Sequence, residues 1–257
     1  MRSIKVEYPK DLSRLEVHLF SDLHIGDKYC NMARIKERIE EVKNNENAVC
    51  ILNGDIINNA TRSSVSDSYA EQMTPMEQIR LFTELFSPIK EKIIALTSGN
   101  HENRSYKDDG LDITEVCARQ LGIDERYSKT GALIFLRFGQ PVKHPDRRMC
   151  YIIYATHGSG GGRKEGGKAV QLADMANIVD ADIYVHGHTH LPMVMKQSFF
   201  RTDAQNSRYS KVDKLFVNTS AMLEYGGYGE AYGFKPSSID CPTIYLDGRK
   251  KRFSAEL

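Results

Sequence analysis

Five short groups of polar residues, rich in aspartate, histidine and asparagine, are spread over the chain between positions 22 and 190. In chain order they are Asp22-Leu23-His24, Gly54-Asp55, Gly99-Asn100-His101-Glu102, His157-Gly158 and Gly187-His188-Thr189-His190. They contain five of the eight histidines and none of the five cysteines. A donor set without thiolates argues against a structural zinc cage.

The donor atoms in these groups are carboxylate and amide oxygens and imidazole nitrogens, which suit manganese, iron or zinc. Residues two apart in an extended chain point to the same side, so Asp22 with His24, and His188 with His190, can each aim two side chains at one site. Two cations about 3.5 to 4 Å apart can clamp a phosphate and lower the pKa of a bridging water. Asp55, which follows a glycine, is the candidate for the carboxylate that bridges them.

Each polar group comes directly after a short apolar run that is typical of a β-strand. These runs cover residues 15–20, 48–52, 92–97, 149–155 and 182–185. Ligands of α/β proteins bind at the carboxyl ends of the strands. We therefore expect the five groups to converge on one crevice.

The rest of the chain alternates between helical and strand-like patterns. Three helices are predicted after the N-capping residues Asn31, Thr74 and Asp112. Further strands are predicted at 132–138, 192–195, 214–217 and 243–246, with one helix over 168–179. Polar stretches at 58–72, 103–110, 158–167, 201–213 and 224–238 are predicted loops. The alternation predicts an α/β fold, and without a long linker or repeat we expect one domain over residues 1–257.

Composition narrows the class of protein. The chain has 35 Lys+Arg and 34 Asp+Glu, a formal net charge of +1, which excludes a strongly basic arm or an acidic tail. No apolar run approaches the roughly 20 residues that cross a bilayer, so no membrane span is expected. The first residues lack the pattern of a secretory signal, and the five scattered cysteines fit reduced thiols. We expect a cytoplasmic protein.

The motifs D-x-H, G-D, G-N-H-E, H-G and G-H-T-H, in this order, resemble those of the calcineurin-like metallophosphoesterases. The resemblance spans residues 22–190, about two thirds of the chain. It implies a four-layer α/β fold in which two mixed β-sheets pack as a sandwich flanked by helices. It also implies hydrolysis of phosphoesters by attack of metal-bound hydroxide on phosphorus.

The resemblance also assigns roles to individual residues. One metal would be held by Asp22, His24, Asp55 and His190, and the second by Asp55, Asn100, His157 and His188. His101 would lie beside the phosphate, where it would protonate the leaving oxygen or stabilise charge. Glu102 would orient His101 or Asn100. The implied cofactors are two divalent ions, manganese first, with iron, zinc and nickel as alternatives.

Four basic side chains are candidates for substrate binding. Arg62 and Arg104 follow the second and third motifs, and Arg163 and Lys164 belong to a glycine-rich loop that begins directly after His157. Backbone amides and cations in such a loop can hold additional phosphate groups, although a solvated loop is an equal alternative. Four aromatic residues at 224–238 could stack on a base, or simply pack on the core: Tyr225, Tyr228, Tyr232 and Phe234.

Several substrate classes remain open. The chain continues after Asp55 as Ile56-Ile57-Asn58-Asn59 and lacks the D-R-G of the Ser/Thr phosphoprotein phosphatases. The opening motif is more similar to that of phosphodiesterases and nucleases, which favours a phosphodiester substrate, with nucleotides or nucleic acids included. The alternatives are a nuclease that works with a partner, a phosphomonoesterase and an inactive protein-binding scaffold. The oligomeric state is left open.

Overall fold

Strands and helices alternate along the chain in the computed structural model, which describes residues 1–61, 64, 71–160, 162 and 164–257, with only the backbone of Tyr228. The strands are β1 (Arg2–Glu7), β2 (Arg14–Phe20), β3 (Ala48–Asn53), β4 (Ile93–Thr97), β5 (Tyr127–Ser128), β6 (Gly131–Phe138), β7 (Met149–Thr156), β8 (Ile183–His186), β9 (Met193–Asp203), β10 (Arg208–Asn218), β11 (Thr243–Asp247) and β12 (Phe253–Glu256). The α-helices are α1 (Met32–Asn44), α2 (Pro75–Phe86), α3 (Glu102–Asp109), α4 (Ile113–Leu121), α5 (Glu165–Asp174) and α6 (Gly227–Ala231).

The strands form two mixed sheets of six strands each. The first sheet has the order β1-β6-β7-β8-β10-β9, and the second has the order β12-β11-β2-β3-β4-β5. Strands β2, β3 and β4 run parallel to one another, as do β7, β8 and β10, whereas β11 is antiparallel to β2. The predicted pair of mixed sheets is confirmed.

Three buried clusters show how the layers pack. Val17 and Ile51 of the second sheet share a core cluster with Ile134 and Ile153 of the first, so the two sheets face each other. Helices α1, α2 and α4 bury their apolar faces on the other side of the second sheet. Leu172 of α5 packs against the outer side of the first sheet. The layers are therefore helix, sheet, sheet and helix, as the resemblance implied.

Local capping explains why three helices begin where the sequence predicted. The Asn31 side chain accepts a hydrogen bond from the amide of Arg34, and Asp112 accepts one from Glu115. Thr74 and Glu77 form a reciprocal capping box at the start of α2. Each side chain satisfies an amide in the first turn that has no partner within the helix.

Other boundaries differ from the sequence predictions. The helix predicted over 168–179 begins three residues earlier, at Glu165, and is α-helical to Asp174, with a 3₁₀ turn at Met175–Asn177. Residues 103–110, predicted as a loop, form α3 and end at Gly110, whose positive φ of 73° suits a helix C-terminus. The loop predicted at 201–213 contains the turn of the β9–β10 hairpin and the adjoining ends of both strands, and the loop predicted at 224–238 contains the short helix α6.

The parallel strands bring the polar groups to one edge of the sandwich. The amides of Asp22 and His24 donate to the carbonyl oxygens of Gly54 and Asp55, at 3.0 Å in both cases. The amide of Gly187 donates to the carbonyl of His157 at 3.2 Å. These bonds join the segments that follow β2 and β3, and those that follow β7 and β8. None of the described helices is both long and apolar enough to span a membrane.

Candidate metal centre

One group of donor atoms comes from the segments that follow β2 and β8. It contains Asp22, His24 and His190, whose donor atoms lie within 4.8 Å of one another. Oδ1 of Asp22 is 3.0 Å from Nε2 of His190, and the Nε2 atoms of His24 and His190 are 3.4 Å apart. Asp22 and His24 are buried, whereas the His190 side chain is 39% exposed. The group therefore opens to solvent on the His190 side.

A second group comes from the segments that follow β3, β7 and β8. It contains Asp55, His157 and His188, again with donor atoms within 4.8 Å. Nε2 of His157 lies 3.2 Å from Oδ2 of Asp55 and 3.2 Å from Oδ1 of Asn100. The Asn100 amide oxygen, which follows β4, therefore joins this second group.

The two groups adjoin each other through Asp22, Asp55 and His157. Nε2 of His157, in the second group, is 3.9 Å from Oδ1 of Asp22 in the first. Asp55 also forms a third cluster with His24 and His101. All seven residues predicted as ligands are thus brought together, and Asp55 has neighbours from both groups, as a bridging carboxylate must.

The chemistry of this cluster fits divalent cations. Oδ1 of Asp22 and Nδ1 of His24 are buried and make no hydrogen bond of suitable geometry within the described residues. A metal ion bound to nitrogen and oxygen at about 2.1 Å holds its ligand atoms about 3 to 3.5 Å from one another. The separations of Asp22 and His24 from His190 lie in that range, so the spacing of these donor atoms fits a shared ion.

The backbone at these residues has an unusual conformation. Seven described residues other than glycine have a positive φ, and five of them are predicted ligands, with φ between 48° and 65°: Asp22, His24, Asp55, His188 and His190. Such backbone costs on the order of 1 kcal/mol or more per residue and persists at sites where the fold imposes it. The left-handed turns aim the side chains of these residues into the same space.

The electrostatics of the site favour positive charge. Burial alone would raise the pKa of Asp55, but His157 and His101 outweigh burial and hold this pKa well below its ordinary value. Burial alone would lower the pKa of His157, but the carboxylates of Asp55 and Asp22 raise it to about 10. His157 and His190 likewise hold the pKa of the buried Asp22 well below its ordinary value, so both carboxylates are ionised and attract cations.

Glu102 is buried and accepts hydrogen bonds from backbone amides, not from the side chains of His101 or Asn100. Oε2 accepts hydrogen bonds from the amides of Gly99 and Asp55, at 2.8 and 3.1 Å, and Oε1 accepts one from Ile57 at 3.1 Å. The sequence prediction had Glu102 orient His101 or Asn100, whereas these bonds fix the loops that follow β3 and β4. Burial and the nearby Asp55 raise the pKa of Glu102 to about 7.

His101 lies at the edge of the cluster with Arg104 as its neighbour. Its Nδ1 faces the carbonyl oxygen of Asn58 at 2.6 Å, so Nδ1 carries the proton and Nε2 has the free electron pair. Nε2 is 3.0 Å from Nη2 of Arg104 and 3.8 Å from Oδ2 of Asp55. Burial lowers the pKa of His101 to about 4. The ring thus points its unprotonated nitrogen towards the centre and towards a guanidinium.

The sequence analysis missed the asparagines that hold His101 and Arg104. The Asn58 carbonyl accepts from Arg104 Nη1 at 3.1 Å as well as facing His101. The Asn59 side-chain amide donates to the carbonyl of His101 at 2.8 Å, and its own backbone amide donates to Gln78 at 2.9 Å. The sequence feature that could have indicated this role is the Asn58-Asn59 pair, which follows shortly after the second motif.

The structure describes only some of the remaining basic and aromatic candidates. Arg62 and Arg163 lie outside the described residues, and Lys164 is exposed at the start of α5. Lys168 donates to the carbonyl of Thr189 at 2.7 Å and so ties α5 to the last motif. In the aromatic segment, Tyr225 donates to the carbonyl of Phe234 at 3.0 Å, and about half of the Tyr225 and Tyr232 surface is exposed.

Comparisons with known proteins found a family match and solved structures of low similarity. A solved structure of a conserved uncharacterized protein from Streptococcus pneumoniae TIGR4, described as a predicted phosphoesterase, is 15% identical over 95% of this chain and 90% of the other, with a TM-score of 0.41. GAP50, the anchor in the inner membrane complex of Plasmodium, is 10% identical over 92% and 82%, with a TM-score of 0.36. No curated protein matched. The family model for calcineurin-like phosphoesterases matches residues 15–192, well over half of the chain, and the protein therefore belongs to that family.

Proposed function

We propose that this protein hydrolyses phosphodiesters and uses two divalent cations, with manganese as the preferred metal. Family membership supports a metal-dependent phosphoester hydrolase in general. The single observation that carries the proposal is the convergence of two adjoining donor groups, Asp22-His24-His190 and Asp55-His157-His188, at the ends of separate strands. Ligand sets of oxygen and imidazole donors without thiolate suit manganese.

Each of the two donor groups is proposed to hold one of the two ions. Asp22, His24 and His190 would hold one ion, Asn100, His157 and His188 the other, and Asp55 both. Two such ions supply Lewis-acid activation of water and of the phosphoryl group. Buried carboxylates and imidazoles that are fixed before substrate arrives require little rearrangement during the reaction.

His101 and Arg104 are proposed to contact the substrate directly. Nε2 of His101 points towards the cluster, and Arg104 adds a fixed positive charge 3.0 Å from that nitrogen. A guanidinium is suited to bind phosphoryl oxygens on which negative charge accumulates. His101, held by its Nδ1 contact with the Asn58 carbonyl, is proposed to lie at the leaving oxygen, to which its Nε2 would donate after taking up a proton.

Among the described residues, the cationic side chain at the cluster fits a diester, with Arg62 and Arg163 outside this comparison. In the described part of the chain, Arg104 is the guanidinium that reaches the catalytic cluster, whereas Lys168 is bonded to the Thr189 carbonyl and Lys164 is exposed. A phosphodiester carries one negative charge and a phosphomonoester carries nearly two at neutral pH. One guanidinium beside the two ions fits the smaller charge.

The decisive experiment combines metal removal with two aryl substrates. The purified protein is stripped with a chelator, dialysed and assayed with bis(4-nitrophenyl) phosphate and with 4-nitrophenyl phosphate, before and after addition of manganese, zinc or iron. We expect activity to vanish on stripping, to return best with manganese and to favour the diester. Activity that survives complete stripping would refute the metal mechanism, and a monoester preference would refute the diester assignment.

A pair of variants tests the role of His101. His101→Ala should lower kcat by about 10²- to 10⁴-fold, the usual contribution of such a group, while the bound metal stays near the wild-type amount. His144→Ala is the matched control, because His144 is exposed in the loop before β7. If His101→Ala instead lost metal with its activity, His101 would be a ligand and not a substrate-contacting residue.

A further inference from the structure

A cleft of about 1140 Å³ lies at the end of the sandwich opposite to the candidate metal centre. Arg14, at the first residue of β2, and Asp182, directly before β8, both line it. The proposed metal ligands follow the last residues of the same strands. At about 3.3 Å per residue, the seven residues of β2 separate the two ends by roughly 20 Å. The cleft is therefore a second site, distinct from the metal centre.

The side chains that line this cleft are mostly cationic. Seven of its lining residues are basic and three are acidic. The basic residues are Arg14, Lys196, Arg201, Lys211, Arg249, Lys251 and Arg252. Because the whole chain carries a formal net charge of only +1, this concentration is local. A charge excess of this kind attracts a polyanion.

The three carboxylates of the cleft already have partners. Asp182 pairs with Lys251 at 2.7 Å, and Asp213 accepts a hydrogen bond from Ser198 at 2.7 Å. Asp247 accepts hydrogen bonds from the backbone amides of Arg249 and Lys250, at 2.7 and 3.1 Å. With all three carboxylates counted, the residues that line the cleft still carry a formal excess of four positive charges.

Four of the basic side chains form no ion pair with a carboxylate among the residues that the structure describes. They are Lys196, Lys211, Arg249 and Arg252, and all four are exposed. Lys196 donates instead to the carbonyl of Phe253 at 3.1 Å, which fixes β9 against β12. The cleft therefore presents several cations whose charge is available to an anionic ligand.

An exposed aromatic pair lies next to the cleft, on the face of the β9–β10 hairpin that carries Lys211. Phe200 lies directly opposite Lys211 in the strand register, and Tyr209 is two residues from Lys211 on β10. Side chains at alternate positions share a face of the strand, so both rings lie on the side of the hairpin that carries Lys211. Phe200 and Tyr209 are 72% and 70% exposed, with ring centroids 5.3 Å apart at an interplanar angle of 88°.

We propose that the cleft and the Phe200–Tyr209 pair form a binding surface for single-stranded nucleic acid. Clustered lysines and arginines bind the phosphate backbone, and exposed aromatic rings stack on unpaired bases. A duplex would engage the cations but not the rings, because its bases are stacked on one another. Binding at this surface would be a function separate from the proposed hydrolysis, and it does not require the metal centre.

Fluorescence anisotropy with labelled oligodeoxythymidine of about 16 nucleotides, a length typical of such sites, tests this surface. A chelator in the buffer prevents cleavage and separates binding from the proposed hydrolysis. We expect binding that weakens steeply with salt. Lys211→Glu with Arg252→Glu, and separately Phe200→Ala with Tyr209→Ala, should each weaken binding about tenfold or more. The matched charge control is Lys36→Glu with Lys90→Glu, on the helical side, which should bind as the wild type does.

Several results would overturn the proposal. One is the absence of binding at low salt, and another is equal weakening by the control pair. If duplex DNA or heparin bound as tightly as the single strand and the aromatic pair made no difference, the surface would be a general polyanion site. Light scattering that shows a wild-type dimer and a Phe200→Ala/Tyr209→Ala monomer would assign the rings to self-association. Circular dichroism is used to check that each variant is folded. If the wild type did not hydrolyse the diester, the proposed function would fail, but the result of the binding experiment would still stand.

Discussion

The carboxylate of Glu102 accepts a hydrogen bond from the backbone amide of Asp55 at 3.1 Å, so the proposed bridging ligand is held by a side chain 47 positions further along the chain. The same oxygen accepts from Gly99, and the other oxygen accepts from Ile57. Three backbone amides from the loops after β3 and β4 thus meet at one buried carboxylate. The second and third motifs are fixed relative to each other through Glu102.

Glu102→Gln should loosen this connection while keeping the size of the side chain. The glutamine has one acceptor oxygen, and its NH₂ group would face a backbone donor, which leaves at least one buried amide without a partner. We expect a loss of about 1 to 3 kcal/mol in unfolding free energy, measured with urea. Metal affinity, measured against a graded chelator, should fall about 10- to 100-fold.

Glu115→Gln is the control for this change. Glu115 lies on α4 and pairs with Arg119 at the surface, where its side chain is 43% exposed. Its replacement should alter the unfolding free energy by no more than about 0.5 kcal/mol, as for an exposed ion pair. Equal behaviour of the two variants would show that Glu102 does not hold the loops.

Gly99 should tolerate no side chain. A Cβ atom at this position would lie 2.1 Å from Oδ1 and 2.2 Å from the amide nitrogen of Asp55, and neither atom can move without displacing the proposed ligand. We expect Gly99→Ala to cost about 1 to 3 kcal/mol and to release metal. Gly166→Ala in α5 meets no atom within 4 Å and should be neutral or stabilising by up to about 1 kcal/mol. Urea unfolding and metal analysis on both proteins check this contrast, which similar losses in the two would contradict.

Asp22 and Asp55 should differ in how much metal their replacement removes. Asp22 belongs to one donor group, whereas Asp55 belongs to one group and lies beside the other. Asp55→Asn should therefore lose both ions, and Asp22→Asn should retain about half of the metal, because a bridging carboxylate serves two ions. Metal content per chain after dialysis measures this, with the exposed Asp146→Asn as control. Equal loss in both variants would remove the reason for assigning the bridge to Asp55.

Metal removal should lower the melting temperature of the protein. Ions that bind the folded state alone stabilise it by about 2.7 kcal/mol at a concentration one hundred times the dissociation constant. They also offset the positive-φ backbone of the ligands and the repulsion between Asp22 and Asp55. Differential scanning calorimetry with and without chelator should show the shift in the wild type and little shift in Asp55→Asn. A shift of the same size in both would point to metal bound elsewhere.

Local features of this fold could be predicted from the sequence because neighbouring residues determine them. The caps at Asn31, Thr74 and Asp112 satisfy amides three residues away, so the sequence carries the whole signal. The convergence of the polar motifs was predictable for a related reason. Each motif follows a buried strand, and parallel strands end at a common edge.

The missed features depend on contacts between distant segments or lack an apolar pattern. The distal half of β9–β10 mixes polar and charged residues with the exposed rings of Phe200 and Tyr209, and its strands pair with each other and bury little surface. It therefore lacks the alternation of a half-buried strand and resembles a loop in sequence. The bonds of Glu102 require β3 and β4 to be neighbours, which no local signal gives. Arg104 is a substrate-binding candidate from the sequence, but its contact with His101, three residues away at the start of α3, is not predicted because residues 103–110 carry the pattern of a loop.

His18 should make stability depend on pH below neutrality. Burial, assisted by Arg38, lowers the pKa of His18 from 6.5 to about 4, with Glu41 opposing and Lys92 contributing to the decrease. Above pH 6.5, His18 is neutral in both states and does not change the unfolding free energy. Between pH 6.5 and about 4, the unfolded chain binds a proton at His18 that the folded chain does not. The unfolding free energy should decline over this window, by up to about 1.4 kcal/mol per pH unit from this residue.

His18→Gln should remove that contribution. We expect its urea-unfolding free energy to fall less steeply than that of the wild type between pH of about 6.5 and 4, with a difference of about 3 kcal/mol accumulated across the window. Both proteins are measured in chelator, so that proton competition with bound metal at the other histidines does not enter the comparison. Glu16 lies 3.6 Å from Nε2 of His18, and Glu16→Gln distinguishes a pair effect from burial. Parallel pH profiles of the wild type and His18→Gln would show that His18 is protonated in the folded protein as readily as in the unfolded chain.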